Sequence, residues 1–589
     1  MKSLDLTEEQ LDIINSSGNI KINAVAGSGK TTTIIEYART RPRNSRILYL
    51  AFNKSVKLEA AKKFFEKGID NVIVETAHSL AYKYVVHRFN YKIRTQEYKG
   101  TDVVEILGMK VAGDKHDVYV VANHILKFSA YFCNSEKEKL SDLNYMDLVQ
   151  EQEAKVFVAK HYDYIALQTR TFLGKMYKGE IEITHDFYLK RFQMLNPQLP
   201  FDYILFDEGQ DASAAMLAVF FNQEATKVIV GDTHQQIYGW RFAVNSLEKA
   251  NFKTFQLSNS FRFSQEIADL ALEILERKEQ LGTFEPVKII GRGNFNEVKV
   301  KAILARTNLG LLMRAIEYVT EKKDLGSLYF EGNINSYMYA DEGASLYDIL
   351  NLYNGEKKNV RDKLLKNMKD IVELEDYIEK TEDVQLGMML EIVKEYGNKI
   401  PGILRMIKDK HVENNEREKA DIIFSTIHRC KGLEYDTVQL VDDFLTDEKL
   451  EKLLNVSDKS DLNFARLNEE INLLYVAVTR AKNQLTIPDS LLPLDFPTSY
   501  RIRVTRPPVK EEKYEKSKTS KPKSGESKTK NAAPKPSAEK LNAGAPWSDE
   551  QDQELVLLYE RGETIVDLSR HFSRSVGAIR SRLTKLDLV

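Results

Sequence analysis

Short β-branched runs alternate with helical stretches along the first part of the chain. From residue 20 onward the apolar runs are IKINAV, RILYLAF and NVIVET, followed much later by DYILFDE and TKVIVGD. Each run has the length of a strand, and the segments between them have helical spacing of apolar residues. Because strands that alternate with helices form parallel sheets covered on both faces, this pattern predicts an α/β domain over residues 1–85 and 191–252.

A second alternating set begins near residue 253. It starts with KTFQL and KVKAILART, resumes with DIIFSTIH and TVQLVDD, and ends with the helix EEINLLYVAVTRAK and the strand NQLTI. The same reasoning predicts a second α/β domain over residues 253–330 and 416–505.

Two segments interrupt these patterns. Residues 86–190 and 331–415 are charged, rich in helical spacing and poor in strand signals. We expect each to be a mainly helical insertion in its α/β domain.

The C-terminal region changes composition twice. Residues 506–545 are rich in Lys, Ser and Pro and nearly free of large apolar residues, which predicts a flexible linker. Its lysines could contact phosphates, but a solvated tether is the simpler interpretation. Residues 546–589 return to helical periodicity and predict a small all-α module. Its last helix bears Arg580, Arg582 and Lys585, which suits a helix-turn-helix on DNA, with a helical protein-interaction domain as the alternative.

Composition limits the classes of function. A chain of 589 residues is long enough for about three to five domains, and a net charge of -2 argues against coating nucleic acid by bulk charge. Only two cysteines are present, Cys133 and Cys430, so neither a disulfide framework nor a zinc site is supported. No run of 18 apolar residues or secretory signal is visible. We expect a protein without a membrane partner that stays inside the cell, in the cytoplasm or in a nucleus.

The strongest local motif is AVAGSGKT, which follows a predicted strand and opens a helix. Small residues let backbone N–H groups surround phosphates at a helix N-terminus, where Lys30 reaches the β- and γ-phosphates and Thr31 ligates Mg²⁺. The first position is Ala24, where the strict pattern has Gly. The predicted ATP contacts are Ala26, Gly27, Ser28, Gly29, Lys30, Thr31 and Thr32.

Acidic residues follow the apolar strand YILF in the sequence DEGQD. At the carboxyl end of a central strand, Asp207 could hold Mg²⁺ and Glu208 could orient or deprotonate the attacking water. Taken alone, such a cluster is more often a solvated turn. The preceding strand and the phosphate loop favour a catalytic role.

The box DEGQD resembles the DExQD box of superfamily 1 helicases of the UvrD/Rep type, and further boxes follow in that family's order. They are LTEEQLDII, VGDTHQQIYGWRFA, LSNSFRFSQ, FSTIHRCKGLEYDTV and EEINLLYVAVTRAK. The segment AFNKS is one residue shorter than the common UvrD form, and in this detail it is similar to the helicase part of F-box DNA helicases. The C-terminal module resembles Myb/SANT-type domains. The resemblance covers about residues 4–488 and implies two RecA-like motor domains that use ATP and Mg²⁺.

The resemblance also implies individual roles. At the ATP site, Gln10 and Phe261 would contact adenine, Gln235 and Arg262 would contact the γ-phosphate, Glu434 would couple to the nucleotide, and Arg480 would be the arginine finger. Residues implied to contact the DNA strand are Phe52, Thr76, His78, Tyr238, Trp240, Arg241, Thr426 and His428. For Phe52 a core role is nearly as plausible, and a lone His78 is more often structural. Phe242 stands where the family usually has Gly.

The function implied by this resemblance is an ATP-dependent DNA helicase with 3′ to 5′ polarity that acts on single strands and single-strand/duplex junctions in repair, recombination or replication. One alternative is a translocase that displaces bound proteins with little unwinding. Another is a DNA-binding protein with a degenerate motor. That alternative predicts the loss of Lys30, Glu208 or Arg480, and all three are present.

Overall fold

The structure is a computed structural model in which most of the chain is described. The described residues are 5–110, 116–282, 284, 286–295, 298–321, 326–338, 343–455, 462–506, 547–560, 568, 571–572, 574, 579, 582–583 and 585–586. The predicted linker, apart from Arg506, and Arg580 of the predicted C-terminal module lie outside the described residues. The chain forms two compact units, Met1–Pro508 and Val509–Val589.

Six parallel strands form the first sheet. They are β1 (Ile20–Ala24), β2 (Ile47–Ala51), β3 (Val72–Thr76), β4 (Tyr203–Phe206), β5 (Thr226–Gly231) and β6 (Lys253–Leu257). Their order is β3-β2-β4-β5-β1-β6, so that β1 lies between β5 and β6. The prediction that KTFQL opens the second α/β set is wrong. Its backbone pairs with β1, and the first sheet therefore extends to Leu257.

Helices cover the first sheet and fill the long connection between β3 and β4. In chain order they are α1 (Glu8–Ile14), α2 (Lys30–Arg39), α3 (Lys54–Glu66), α4 (Ala77–Phe89), α5 (Gly100–Leu107), α6 (Asp117–Asn134), α7 (Gln152–Lys178), α8 (His185–Leu195), α9 (Ala214–Phe221) and α10 (Ser246–Lys249). The segment predicted as the first insertion is mainly helical, from the end of α4 to α8. Buried Leu80 of α4 and Phe192 of α8 belong to the same apolar core as Leu50 of β2 and Phe206 of β4.

A short two-stranded link, β7 (Asn259–Ser260) with β8 (Ile290–Gly291), follows the first sheet. The second sheet contains β9 (Lys301–Ala305), β10 (Leu328–Phe330), β11 (Ile422–Thr426), β12 (Tyr435–Leu440), β13 (Ala481–Pro488) and β14 (Ile502–Thr505). Its strands are all parallel, in the order β10-β11-β9-β12-β13-β14. The predicted class of two parallel-sheet domains is confirmed.

The helices of the second half are α11 (Gln265–Glu276), α12 (Asn308–Glu321), α13 (Leu346–Tyr353), α14 (Lys363–Asn367), α15 (Ile371–Thr381), α16 (Val384–Tyr396), α17 (Ile400–Lys410), α18 (Ile427–Cys430), α19 (Asp447–Leu454) and α20 (Phe464–Val478). Helices α13 to α17 lie between β10 and β11, in the segment predicted as the second insertion. The two insertions contact each other. Lys127 Nζ of α6 donates a hydrogen bond to the carbonyl oxygen of Thr381 in α15, at 2.6 Å.

The C-terminal unit contains α21 (Asp549–Glu560) and a small apolar core. Leu555 is buried with Leu568, Phe572, Ile579 and Leu583. Arg582, which the sequence places among residues facing DNA, instead donates from Nε to Asp552 at 2.6 Å. Across the described residues of the whole chain, no helix is long and apolar enough to span a membrane.

Candidate nucleotide and nucleic-acid site

The predicted phosphate loop connects β1 to α2 and has the backbone that such a loop needs. Gly27 and Gly29 have φ values of +74° and +79°, where a side chain would be strained. A Cβ on Gly27 would also lie 2.6 Å from Cβ of Arg262 and 2.8 Å from Oγ of Ser260. Gly27 is therefore required both by its conformation and by the close approach of the segment after β7.

Gln10 lies directly beside this loop. It is buried on α1, and its Nε2 donates to Oγ1 of Thr33 in the first turn of α2, at 3.0 Å. Its Oε1 accepts from the backbone N–H of Thr7 at 3.0 Å, in a capping box that orders the start of α1. The local sequence thus holds the glutamine next to the loop, where the family resemblance places it.

The acids follow β4 and face the lysine of the loop. Lys30 Nζ lies 3.1 Å from Oε1 of Glu208, and Tyr49 of β2 donates its hydroxyl hydrogen to Oδ2 of Asp207. Glu208 has a φ of +52°, a left-handed conformation that is uncommon for a residue with a side chain. Residues held in such conformations cluster at functional sites, and the carboxylate of Glu208 here faces Lys30.

Burial and mutual charge set the ionisation of this cluster. Burial lowers the pKa of Lys30, but attraction by Glu208, Asp232 and Asp207 more than offsets it and the pKa is raised. Burial, with repulsion by Glu208, raises the pKa of Asp207 to about 6. Burial opposes ionisation of Glu208 too, but Lys30 and Lys431 lower its pKa to about 2. Glu208 is therefore an ionised carboxylate over the neutral pH range.

Arg480 reaches this cluster from the second domain. It follows α20, is only 1% exposed, and donates from Nε to the carbonyl oxygen of Val476 at 3.1 Å. Its Nη2 lies 3.5 Å from Oε1 of Gln235, whose Nε2 donates to Asp232 at 2.7 Å. Burial and the neighbouring Arg262 lower the pKa of Arg480 to about 10, which leaves the guanidinium charged at neutral pH.

Arg262, Glu434 and Phe261 form a second connection across the loop. Arg262 Nε pairs with Oε2 of Glu434 at 2.8 Å, and Nη1 donates to the carbonyl oxygen of Thr479 at 3.2 Å. The N–H of Phe261 donates to the carbonyl oxygen of Gly27 at 2.9 Å, and its ring is 41% exposed. These three predicted ATP contacts therefore lie together at the loop.

A buried ion pair across the domain boundary escaped the sequence reasoning. Lys431 Nζ pairs with Oδ2 of Asp211, and the side chains are 8% and 0% exposed. The same ammonium donates to the carbonyl oxygen of Gln235 at 2.6 Å and lies 4.9 Å from the ring centre of Tyr238. Both charged residues lie inside boxes that the sequence identifies, DEGQD and CKGLE. The signal that could have revealed this pair was the presence, in each of two matched motifs, of a charged residue to which no role had been assigned.

Tyr475 is a second bridge that the sequence did not reveal. From α20 its hydroxyl donates to Oδ2 of Asp232 at 3.1 Å and lies 3.4 Å from the backbone nitrogen of Ala26, which donates to it. Helix α20, which Arg480 follows, is thereby joined to the phosphate loop itself.

The residues implied to contact a DNA strand lie on both sides of the same boundary. Phe52 stacks on Tyr238, with ring centres 5.7 Å apart and planes at 22°. The Tyr238 hydroxyl donates to the carbonyl oxygen of His428 at 2.8 Å, and His428 Nε2 lies 3.1 Å from the carbonyl oxygen of Ile237. Burial lowers the pKa of His428 to about 4, so the ring is neutral. Because a carbonyl only accepts, Nε2 is the protonated nitrogen.

Trp240 and Arg241 project from the turn that follows Tyr238. Trp240 is 60% exposed, and the guanidinium of Arg241 lies 4.6 Å from its ring centre. The N–H of Gly239 donates to Oε1 of Glu469 in α20 at 3.3 Å. Burial raises the pKa of Glu469 to about 7, against the hydrogen bond from Gly239. The second domain therefore holds the base of a turn whose aromatic tip is open to solvent.

Phe242 keeps the backbone of the glycine that usually stands there. Its φ is +61°, and its ring stacks on Tyr131 of α6, with centres 5.6 Å apart. Left-handed conformation costs a non-glycine residue about 1 kcal/mol, and an aromatic pair returns a similar amount. The stacking explains how Phe is accommodated and connects this turn to the first insertion.

The remaining predicted strand contacts are less open. Thr76 caps α4 by accepting from the N–H of Ser79 at 3.0 Å, and His78 packs edge-on against Tyr188 of α8. Thr426, at the end of β11, is 5% exposed. Among the residues predicted to contact the DNA strand, Trp240 and Arg241 are exposed to solvent, whereas Thr426 is buried.

Comparisons with known proteins agree with this geometry. Residues 6–256 match the family model of the UvrD/REP helicase N-terminal domain, and residues 315–490 match that of the UvrD-like helicase C-terminal domain. Together these matches cover more than two thirds of the chain.

Similar curated proteins include two F-box DNA helicases. F-box DNA helicase 1 of Gallus gallus is 29% identical over 522 residues, which cover 83% of this chain and 50% of the relative. F-box DNA helicase protein 1 of Schizosaccharomyces pombe is 28% identical over 534 residues, which cover 83% and 58%. The chain spans about half the length of these relatives. The predicted similarity to the helicase part of F-box DNA helicases is confirmed.

Among solved structures, the crystal structure of Arterivirus nonstructural protein 10 (helicase) aligns with 81% of this chain and 61% of its own at 10% identity, with a TM-score of 0.26. A score this low does not establish a shared fold. The two family models, which lie in the expected order on the two parallel-sheet domains, are decisive. The chain belongs to the UvrD/Rep helicase family.

Proposed function

We propose that this chain is an ATP-driven DNA helicase or translocase that moves along single-stranded DNA. One observation supports this most strongly: the phosphate loop and acids of the first domain face cations of the second. Arg480 of the second domain lies 3.5 Å from Gln235 of the first, and Arg262 packs against Gly27. A nucleotide bound at this loop would contact both domains.

The residues present fit ATP. Oγ of Ser28 in the loop is buried without a hydrogen-bond partner, as expected of a group that binds an oxygen of the nucleotide. Lys30 is surrounded by carboxylates that a triphosphate would replace as the partner of its ammonium. Gln10 and the exposed ring of Phe261 would contact adenine.

The residues also fit Mg²⁺. Thr31 and Asp207 would offer a hydroxyl and a carboxylate oxygen, the hard ligands that Mg²⁺ prefers. Among the described residues no group of three or more His, Cys, Asp or Glu side chains could hold a metal by itself. This is consistent with a cation bound by one or two protein ligands and by phosphate oxygens. When bound, such a cation neutralises charge on the phosphates.

We assign the reaction to five side chains. Glu208, ionised and aimed at the loop, would orient and deprotonate the attacking water. Charge that develops on the phosphoryl oxygens would be stabilised by Lys30, Arg262 and Arg480, with Gln235 between the phosphate and Arg480. Because two of these cations come from the second domain, hydrolysis would require closure of the boundary.

Closure would be transmitted to DNA through Tyr238. Its ring stacks on Phe52, its hydroxyl bonds to His428, and the exposed Trp240 is two residues further along. Each base stacked on such a ring contributes roughly 1–3 kcal/mol. A change in the boundary would shift these rings relative to the strand and produce translocation.

Finer properties follow from the family resemblance and the names of the relatives. We propose 3′ to 5′ polarity, loading at single-strand/duplex junctions, and a role in repair, recombination or replication, in the cytoplasm or a nucleus. Residues 546–589 would contact duplex DNA or a protein partner. Displacement of bound proteins with little unwinding is the alternative activity.

Tailed duplexes test this proposal. ATP hydrolysis and strand displacement are measured on duplexes with either a 3′ or a 5′ single-stranded tail, beside displacement of a protein bound to single-stranded DNA. We expect the 3′ tail to support unwinding. Preference for the 5′ tail would contradict the polarity, and protein displacement without unwinding would favour the alternative. Absence of DNA-stimulated hydrolysis on every substrate would refute the motor.

A further inference from the structure

A row of aromatic side chains runs from His78 along α4 and reaches Arg191 on the first insertion. His78 and Tyr82 of α4 both contact the ring of Tyr188 edge-on, with centres 6.0 and 6.2 Å away. Tyr82 also contacts His87 at 5.1 Å. Tyr82 is 36% exposed, and Phe89 at the end of α4 is 38% exposed. Helix α4 therefore carries one residue predicted to contact the DNA strand, His78, and two solvent-exposed aromatic rings.

Beyond Phe89 the series continues onto α8 and α7. The guanidinium of Arg191 in α8 lies 5.4 Å from the ring centre of Phe89 and 4.3 Å from that of Tyr177 in α7. Tyr177 is 55% exposed. Because two rings order the guanidinium, little conformational entropy would be lost when it binds a ligand.

Arg191 has no anionic partner in the described part of the chain. It makes neither an ion pair nor a hydrogen bond there, and its Nε is buried without a partner. Glu180, the acid near Tyr177 in the chain, pairs with Lys175 at 3.2 Å and with Lys178 at 3.6 Å. The guanidinium therefore has no anion to neutralise it in the described part of the chain, and its terminal nitrogens suit the geometry of a phosphate group.

We propose that the surface of Tyr82, Phe89, Tyr177 and Arg191 binds single-stranded nucleic acid, extending the strand path beyond His78 across the first insertion. The proposal rests on the proposed function, because the strand would leave the motor at His78. Exposed rings beside a phosphate-binding cation fit unpaired bases, since a duplex presents no free base faces at its side. From His78 to Phe89, α4 spans about 16 Å, the length of about five stacked nucleotides.

The test compares binding of a series of oligothymidylates of increasing length to the full chain without ATP. In the double variant Phe89→Ala, Arg191→Ala, short oligonucleotides should bind as they do to the unaltered chain, while the affinity gained by longer ones should fall about tenfold. Arg191→Gln alone should reduce the salt dependence for long oligonucleotides by about one phosphate contact. Phe89→Tyr with Arg191 intact should retain the full gain.

The matched control is Phe65→Ala, Arg43→Ala. Phe65 is 85% exposed, and Arg43 is exposed and without an ion pair in the described residues, but both precede strands and lie at the opposite edge of the first sheet. This variant should bind every length normally. The proposed surface would be refuted if the Phe89/Arg191 variant bound oligonucleotides of every length with the affinity of the unaltered chain. It would also be refuted if the variant lost the same factor in affinity at every length. A selective loss of duplex binding would overturn the choice of occupant. Failure of the unaltered chain to bind any oligonucleotide would instead refute the proposed function, and this extension with it.

Discussion

The two sheets of the molecule have the same construction, but the side chains that they bring to the shared boundary differ in charge. Each has six parallel strands covered by helices, and each is interrupted by a helical insertion. The carboxyl edge of the first sheet bears the phosphate loop and the acids Asp207 and Glu208. The second domain has no such loop after β9, where the chain continues as Arg306-Thr307-Asn308, and instead contributes Arg480 and Lys431 to the shared boundary.

This difference shows how one scaffold can serve two halves of a site. In the proposed function, the first domain would bind the nucleotide through its loop and Lys30, but it would lack the two arginines, Arg262 and Arg480, that complete the environment of the reacting phosphate. The second supplies charge without a phosphate cradle. Because neither half would be complete alone, the proposed hydrolysis would depend on the relative position of the two sheet domains.

Removal of Arg480, the proposed arginine finger of the second domain, should give the largest effect. Arg480→Ala should lower kcat for ATP hydrolysis by roughly 10³ to 10⁵ while changing nucleotide affinity much less, because the guanidinium acts on charge that develops during reaction. Steady-state kinetics and nucleotide titration measure the two quantities. Arg277→Ala is the control, since Arg277 is also buried and paired, with Asp447, but lies away from the loop. An equal loss in both variants would assign Arg480 a purely structural role.

The buried ion pair tests whether the halves are held together by charge. Lys431→Met leaves the carboxylate of Asp211 buried without its partner, which should lower the free energy of unfolding by about 3–5 kcal/mol. Urea unfolding of Lys431→Met, Asp211→Leu and the double variant gives the interaction free energy between the two side chains. We expect the double variant to recover much of the loss, and strictly additive losses would show that the two side chains act independently.

A substitution in the exposed turn of the first domain should change only the stimulation of ATP hydrolysis by DNA. Trp240→Ala should leave basal ATP hydrolysis unchanged and weaken stimulation by single-stranded DNA, with the affinity for DNA reduced about 5- to 150-fold for one lost stacking platform. ATPase titrations with an oligonucleotide measure this. Tyr353→Ala, which alters an exposed ring of the second insertion, is the control. Unchanged stimulation in the Trp240 variant would place the strand elsewhere.

The smallest effect concerns the contact of Glu469 with Gly239. The pKa of this carboxyl in the folded chain is about 7, above its ordinary value of 4.5. A raised pKa means that the folded chain binds the proton more tightly, so this group stabilises the fold below pH 4.5 and that contribution is lost as the pH rises to 7. Glu469→Gln should flatten the fall in thermal stability between pH 5 and 7. The same slope in both proteins would contradict the assignment.

Local alternation of strands and helices in the sequence predicted the two parallel-sheet domains, and the structure confirms that class. The loop around Gly27, the acids after YILF and the two insertions each depend on neighbouring residues, and the structure places Lys30, Glu208 and Arg480 together. Strand assignment failed at KTFQL, because its partner β1 lies more than 200 residues earlier and nothing in five residues specifies it. Lys431 and Asp211 are 220 positions apart, so their pairing is visible only in the fold. The roles of the individual site residues remain predictions.

ATP hydrolysis by Lys30→Ala and Glu208→Gln, with and without single-stranded DNA, tests the central claim most directly. The unaltered chain should hydrolyse ATP faster when single strands are present, and both variants should lose DNA-stimulated hydrolysis while keeping the thermal unfolding profile of a folded protein. Full activity in either variant would contradict the assignment of this boundary as the site of a nucleic-acid motor.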